Sequence, residues 1–422
     1  MLLLGLQHVI TMFPATVLCA LIMHFDVSTV LAVTGFATIV ALIGSKLSMG
    51  NYIPLYYGSS FSYIAAVLMV MNQLEPGLTF GQTASPETIS VVQTGFIATG
   101  VINILVGLII RLTGGKAGVD KILPPIITGS VAIVIGIGLS SAALGMFFGT
   151  FDLATQTAEA LTWLGVSLFT LVVTILLSVY LQGKGFIGML PILLGAIAGY
   201  LLAIVVGLVD FSSLGTTSVF TAPKFTFPDF SNPLSLSVMI SVGIMAIATI
   251  PESTAHLYQI SLYVDHLAEE QGREKLGLSK FIGLNLMLDG LNDLVNGLFG
   301  STAGTNYGEN NSLMVISRNY SGVSLITAGA IAMLLGFIGP LKDFVNTVPT
   351  SVWGGLAVYL YGVIGMQGIA LMIAEKVDLY DPGKLAIGAT ILVIGIGGTI
   401  GYPNGLPIPL LTAVFPFGWP PI

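Results

Sequence analysis

"GTNYGENNSLMVISR" (Gly304–Arg318) lies between two long apolar stretches, yet it carries Glu309, Asn306, Asn310, Asn311 and two glycines. An unbroken membrane-spanning helix here would bury a carboxylate near mid-bilayer, at a cost of about 2.5–3.5 kcal/mol on the insertion scale. A broken crossing removes the conflict. A helix over 309–318 rises roughly 15 Å, half the hydrocarbon core. The preceding 302–308, if extended, covers the rest at about 3.3 Å per residue. Extended backbone at that depth is tolerated only inside protein or lining a cavity. The half-helix then starts near the bilayer middle, with free N–H groups and the positive end of its dipole at Glu309 and Asn310.

The surrounding chain supports a membrane setting. Of its 422 residues, 55% are hydrophobic and only 8% charged, and the mean hydropathy is +0.95. Soluble domains carry about 25% charged residues, so the composition predicts an all-α polytopic membrane protein. A crossing needs about 20 apolar residues. Eleven stretches qualify: 2–24, 28–45, 88–111, 123–147, 161–181, 186–209, 234–260, 280–299, 322–340, 344–373 and 384–401. The interrupted segments 51–72 and 302–318 bring the expected crossings to thirteen. The start of the chain reads as a first span rather than a cleaved leader. The tail "YPNGLPIPLLTAVFPFGWPPI" (402–422) holds six prolines, which forbid a regular helix, so the last segment reads as incomplete or re-entrant. The single cysteine, Cys19, excludes an internal disulfide. The thirteen Lys and Arg form no basic block, which argues against nucleic-acid binding.

Charge sets the orientation. With the N-terminus cytoplasmic, the inner loops hold Lys46, Arg111, Lys116, Lys121, Lys184, Arg273, Lys275, Lys280, Arg318, Lys376 and Lys384, and the outer loops only Lys224 and Lys342. This positive-inside bias also tests the count, because a segment that failed to cross would swap every later loop. The outer loops are acidic: Asp26, Glu75, Glu87, Asp152, Asp210, Asp229 and Asp343.

The interrupted segments echo each other. Tyr57-Gly58-Ser59-Ser60 matches Tyr307-Gly308-Glu309-Asn310, and "LPPIITG" (123–129) matches "VPTSVWGG" (348–355) in its Pro-to-Gly spacing. The halves are 1–209 and 234–422, with the first holding seven segments, and an odd number inverts the second half. Inverted repeats with broken spans at matching positions are the sequence sign of a secondary transporter, with its site at the breaks. The two short extended stretches, in segments 3 and 10, can satisfy part of their backbone by pairing with each other.

Glu252, Asp289, Asp293 and Glu309 fall inside expected spans. Glu252 follows Pro251, and His256 lies four residues on, on the same helix face. That pair can share a proton or hold a polar ligand; it can also be a helix-stabilising pair. Asp289 and Asp293 are spaced alike and suit packing against polar groups or a coupling role. Gln7 and His8 interrupt the first span, either bonding another helix or lining the site, and His24 sits at its outer end. Phe61, Tyr57 and Tyr307 flank the breaks, where an aromatic ring can cover a planar ligand. Ser59, Ser60 and Asn310 sit at the breaks themselves. Two glutamates repel an anion, and the ligand set is too diffuse for a metal. A flat, neutral heterocycle in a water-excluding pocket fits better. Carboxylates accept its N–H groups and the half-helix start donates to its carbonyls. Uracil and related bases have that edge.

At these residues the chain resembles the nucleobase–ascorbate transporter family. The matching stretches are "LQH" (6–8), "YYGSSFSYI" (56–64), "IPESTAHL" (250–257), "LFGSTAGTNYGEN" (298–310) and "VWGGLAVYLYGVIGMQGI" (352–369). Glu309, Asn310 and Arg318 fit the family signature, while Ser312 and Ser317 replace its usual Gly and Thr. Ser253 stands where uracil-transporting members often have a second histidine. Glutamate at 309 resembles the uracil branch rather than the purine one. The resemblance implies fourteen segments in two inverted sevens. It implies a core domain (about 1–147 and 234–373, segments 1–4 and 8–11) and a gate domain (segments 5–7 and 12–14), often paired in a homodimer. It places Phe61, Glu252, Gly308 and Glu309 on the base, and His256 in proton coupling.

The expectation is therefore a proton-coupled uracil importer of the inner membrane, contacting lipid and requiring no cofactor. Tyr307 joins the base-binding set, and Glu309 shares the coupling role with His256. Gln7, His8, Ser59, Ser60, Asn310 and Asp289 are supporting residues. The alternatives are a transporter of xanthine, another purine or another solute on the same fold, and an intramembrane enzyme. The enzyme is disfavoured because neither His-Glu-x-x-His nor Gly-x-Ser-x-Gly occurs.

Overall fold

Each apolar stretch read from the sequence holds a helix, and each of the two interrupted segments splits into a strand and a short helix. The structure is a computed structural model that describes residues 1–113, 124–149 and 158–402. Lys116, Lys121, Leu123, Asp152 and the proline-rich tail beyond Tyr402 lie outside the described residues.

The first half contains α1 (Leu2–Ile22), α2 (Val27–Met49), β1 (Tyr57–Ser59), a 3-10 turn (Phe61–Tyr63) that runs into α3 (Ile64–Leu74), and α4 (Pro86–Thr113). It continues with α5 (Pro125–Gly138), α6 (Ser140–Phe148), α7 (Ala158–Tyr180) and α8 (Pro191–Val205). The second half begins with α9 (Ser235–Gly243), α10 (Ala246–Glu270), α11 (Ile282–Phe299), β2 (Gly304–Asn306) and α12 (Gly308–Ser317). It ends with α13 (Gly322–Leu335), α14 (Gly339–Thr347), α15 (Thr350–Ala374) and α16 (Pro382–Gly401). Among the described residues, eight helical stretches are long and apolar enough to cross a membrane, with α5–α6 and α9–α10 each counted as one. The chain is a multi-pass membrane protein.

β1 and β2 form an antiparallel pair with Tyr57 opposite Asn306, Gly58 opposite Thr305 and Ser59 opposite Gly304. The ladder extends one bond at each end: Tyr307 N–H donates to Tyr56 O (2.8 Å) and Ser60 N–H to Ala303 O (3.2 Å). The expected short antiparallel strands at the third and tenth segments are therefore present.

The chain groups into two compact units. One comprises Met1–Thr128 with Ala222–Phe337, and the other Gly129–Thr221 with Ile338–Gly401. The core and gate implied by the resemblance divide after the fourth and eleventh segments, at about 147 and 373; the chain groups instead at Thr128/Gly129 and Phe337/Ile338. In the second unit, α15 packs on α6 and α7 through Gly354 and Gly355. Trp163 Nε1 donates to Met146 O (3.1 Å) and Ser167 Oγ to Phe147 O (2.8 Å).

In the first unit α4 and α11 cross at very short range. A Cβ on Gly100 would lie 2.7 Å from the Gly290 carbonyl oxygen, so the glycines permit backbone-to-backbone packing. The polar face of α11 is enclosed: Asn285, Asp289, Asn292, Asp293 and Asn296 are all 0% exposed. Asp293 ties four elements together. It accepts from Gly304 N–H of β2 (2.8 Å), Asn103 Nδ2 of α4 (3.0 Å) and Tyr63 OH of the 3-10 turn (3.3 Å).

Asp293→Leu strands three buried donors, at about 1–3 kcal/mol each. It should sharply lower the unfolding midpoint in detergent. Asp293→Asn, which keeps the shape but turns one acceptor into a donor, should fall between it and the parent chain.

Candidate functional site

α10 is the element that joins the two breaks. Pro251 inside it removes one donor from the helix ladder. Glu252 and His256 follow one turn apart and serve different breaks. Ser62 Oγ of the first break donates to Glu252 Oε2 at 3.5 Å, and Ser60 lies within reach of the same carboxylate. His256 Nδ1 lies 2.7 Å from Asn306 O and 2.9 Å from Asn306 Oδ1 at the second break. Glu309, in the first turn of α12, acts electrostatically on both Glu252 and His256.

The two helix starts differ. Ser60 caps the 3-10 turn, its side chain accepting from Ser62 N–H (3.2 Å). Tyr307 precedes α12 and supplies no side-chain cap. The first-turn N–H groups of α12 thus remain as donors at the positive end of a helix dipole, a ready site for a carbonyl or anionic oxygen.

Phe61, Glu252, His256 and Gly308 are half-buried, and Glu309 is exposed. The expected water-excluding pocket is instead open on the Glu309 side. Tyr307 is only 5% exposed. Its hydroxyl donates to Ser59 O (2.9 Å) and receives Thr16 Oγ1 (3.0 Å). Its ring lies against Gly58, where any Cβ would overlap it. Phe61, by contrast, keeps part of its surface open, one residue before the Ser62 that bonds Glu252. Ser59 Oγ bonds Thr302 Oγ1 (2.6 Å), within the strand region.

The supporting residues divide. His8 is buried on α1, and Asn310 Nδ2 reaches both His8 Nδ1 and His8 O at 3.1 Å. This bond attaches α12 to α1. Asp289 is buried on α11 beside Ser253 and Thr305. Gln7, half-buried, accepts Thr11 Oγ1 at its main-chain oxygen (2.9 Å), and among the described residues its side chain makes no hydrogen bond to the breaks. Sequence reasoning missed Ser62 and Asn306. Both sit within two residues of the Tyr-Gly and Phe61 positions that were singled out, so proximity to the breaks was the available signal. Among the described residues, no group of three or more His, Cys, Asp or Glu is arranged to hold a metal ion.

Membrane-spanning helices surround two paired strands, each followed by a short helix. The fold is similar to the transmembrane domain of BicA, a cyanobacterium bicarbonate transporter. The TM-score is 0.65 at 15% identity, covering 94% of this chain and 95% of that one. In sequence, a family profile described as "Permease family" matches residues 1–403. The chain is 34% identical over 403 residues to a uracil permease of Bacillus caldolyticus, covering 94% of this chain and 85% of the relative. It is 35% identical over 397 residues to a uracil permease of Escherichia coli (strain K12), covering 94% and 84%. The chain belongs to this permease family, the nucleobase–ascorbate transporters whose motifs it carries, and it is a transporter rather than an enzyme.

The Gly58–Tyr307 contact can be tested without a ligand. Gly58→Val forces a side chain into the Tyr307 ring, an overpacking that costs about 1–3 kcal/mol. Its thermal midpoint should drop, and Tyr307→Ala in the same chain should recover part of the loss. Equal, additive losses in the double variant would show that the two residues do not touch.

Proposed function

We propose that this permease imports uracil across the cytoplasmic membrane together with a proton, by alternating access. The observation that carries this reading is that α10 joins the two breaks, with Glu252 at the first, where Phe61 opens the 3-10 turn, His256 at the uncapped start of α12, and Glu309 acting on both. Uracil offers two N–H donors and two carbonyl acceptors on one flat ring. Glu252 and Glu309 accept the N–H groups, the first-turn N–H groups of α12 donate to a carbonyl, and Phe61 covers a face of the ring. The names of the aligned relatives support the same base.

His256 and Glu309 are the proton-handling pair, since both can exchange a proton on the open side of the site. The unit of Met1–Thr128 and Ala222–Phe337 holds every candidate residue and serves as the core. The other unit serves as the gate and as the surface for a homodimer. The two halves are inverted repeats, which accounts for two half-helices starting at one paired strand. The bias of basic residues places the N-terminus in the cytoplasm.

Glu252→Gln and Glu309→Gln each remove a charge-assisted acceptor, which weakens binding by roughly tenfold or more. Purified variants should keep the parent unfolding midpoint yet lose equilibrium uracil binding. Normal uracil affinity in both would overturn the site. In competition uptake, unlabelled uracil should block labelled uracil, and xanthine and sulfate should not. Block by xanthine alone would move the substrate to the purines.

A further inference from the structure

We infer that Asn306, held by Ser253 and Asn285, is a positioning residue that sets the tautomer of His256, leaving Nε2 as the unprotonated nitrogen at the site. The inference deepens the proposed function and rests on it for what His256 does in transport.

The argument begins at a main-chain oxygen. Asn306 O, 2.7 Å from His256 Nδ1, can only accept a hydrogen bond, so the neutral imidazole carries its proton on Nδ1. Asn306 Oδ1, at 2.9 Å, accepts from the same N–H. The side chain of Asn306 is held in the orientation that presents this oxygen. Its Nδ2 is occupied by Ser253 Oγ at 2.7 Å. Ser253 Oγ is in turn fixed by Asn285 Nδ2 at 2.8 Å, which also reaches Ser253 O at 3.3 Å. Ser253, Asn285 and Asn306 are all 0% exposed, so water does not compete for these bonds. They come from α10, α11 and β2, three separate elements. The chain of bonds therefore records how the second break is seated on the two helices behind it.

Nε2 points the other way. A Cβ built on Gly308 would lie 2.9 Å from it, so this nitrogen stands at the start of α12, next to the uncapped N–H groups. Glu309 on α12 is the ionisable group that acts on His256 from across the site. Glu252 lies one turn earlier on the same helix, Asp289 on α11 lies beside Ser253, and β2 contributes no ionisable group. With the proton fixed on Nδ1, Nε2 can accept a proton, or an N–H from a ligand. In the opposite tautomer it would present a donor and could accept neither. A buried polar cluster also rigidifies the fold, and the test separates that role from the positioning one.

The chain has four histidines, so nitrogen-15 histidine labelling in lipid nanodiscs gives few signals, and His256→Gln identifies the one at 256. The parent protein should show the Nδ1–H signature for neutral His256. Asn306→Leu removes one of the two acceptors and frees Ser253; because the main-chain oxygen remains, the Nε2–H form should appear as a measurable fraction beside Nδ1–H rather than replace it. Asn306→Asp, which keeps an acceptor at Nδ1, should restore the Nδ1–H signal. Uracil uptake by Asn306→Leu and by the milder Ser253→Ala should lose maximal rate by roughly tenfold to a hundredfold, the scale for loosening a group that orients a proton-handling residue. KM should change less. An Nε2–H signature in the parent protein overturns the inference with no variant needed. So does an unchanged Nδ1–H signal in Asn306→Leu, even if uptake falls, because that marks a purely structural role. If the parent shows Nδ1–H, and Asn306→Leu shifts it, but no uracil is taken up, the tautomer assignment stands and the substrate assignment fails.

Discussion

Water does not reach the middle of a bilayer, so each backbone N–H and C=O placed there needs a protein partner. Helices satisfy this internally; extended chain does not. The stretches at 57–59 and 304–306 satisfy it by pairing with each other, residue against residue, in three register positions. That requirement fixes far more than six residues. It sets the starts of two half-helices side by side, and it draws the residues that follow each strand toward a common point. The strand pair is anchored from behind by Asp293, which accepts Gly304 N–H, and from the side by Tyr307, whose hydroxyl reaches Ser59 O. α11 thus acts as a scaffold: its enclosed polar face holds the broken segments in place while its glycines bring it close to α4.

The chemistry follows from what this arrangement leaves unsatisfied. α12 starts without a side-chain cap, and the dipole of even a short helix favours an oxygen there. α10 passes beside both starts and contributes a carboxylate to one and an imidazole to the other. A structure that needed only stability would have capped α12 with Ser, Thr, Asp or Asn, for a gain of about 1 kcal/mol. An uncapped helix start, two carboxylates and a half-open aromatic ring together suit a neutral ligand that both donates and accepts.

Much of this was legible in the sequence, for physical reasons. Span positions follow from apolar length, and the two breaks follow from Tyr-Gly steps set in polar surroundings. Pairing between the strands follows from the backbone requirement alone. Glu252 and His256 were legible because proline, carboxylate and imidazole are each costly in a span and stand within six residues. Other features depend on the three-dimensional neighbour and left no local trace. Asn306 reads as one more polar residue until it is seen against His256. Tyr307 reads as a ligand-stacking ring until its hydroxyl is found between Thr16 and Ser59. The exposure of Glu309 was likewise invisible, because it depends on what lies across from the first turn of α12.

The most direct measurement is a crystal structure with 5-bromouracil bound, the ring located by the anomalous signal of its bromine. The account predicts a single strong peak beside Phe61, with the ring in hydrogen-bonding reach of Glu252 and of the first turn of α12. A peak out of reach of both carboxylates, or no peak under saturating ligand in a protein that still takes up uracil, would contradict it.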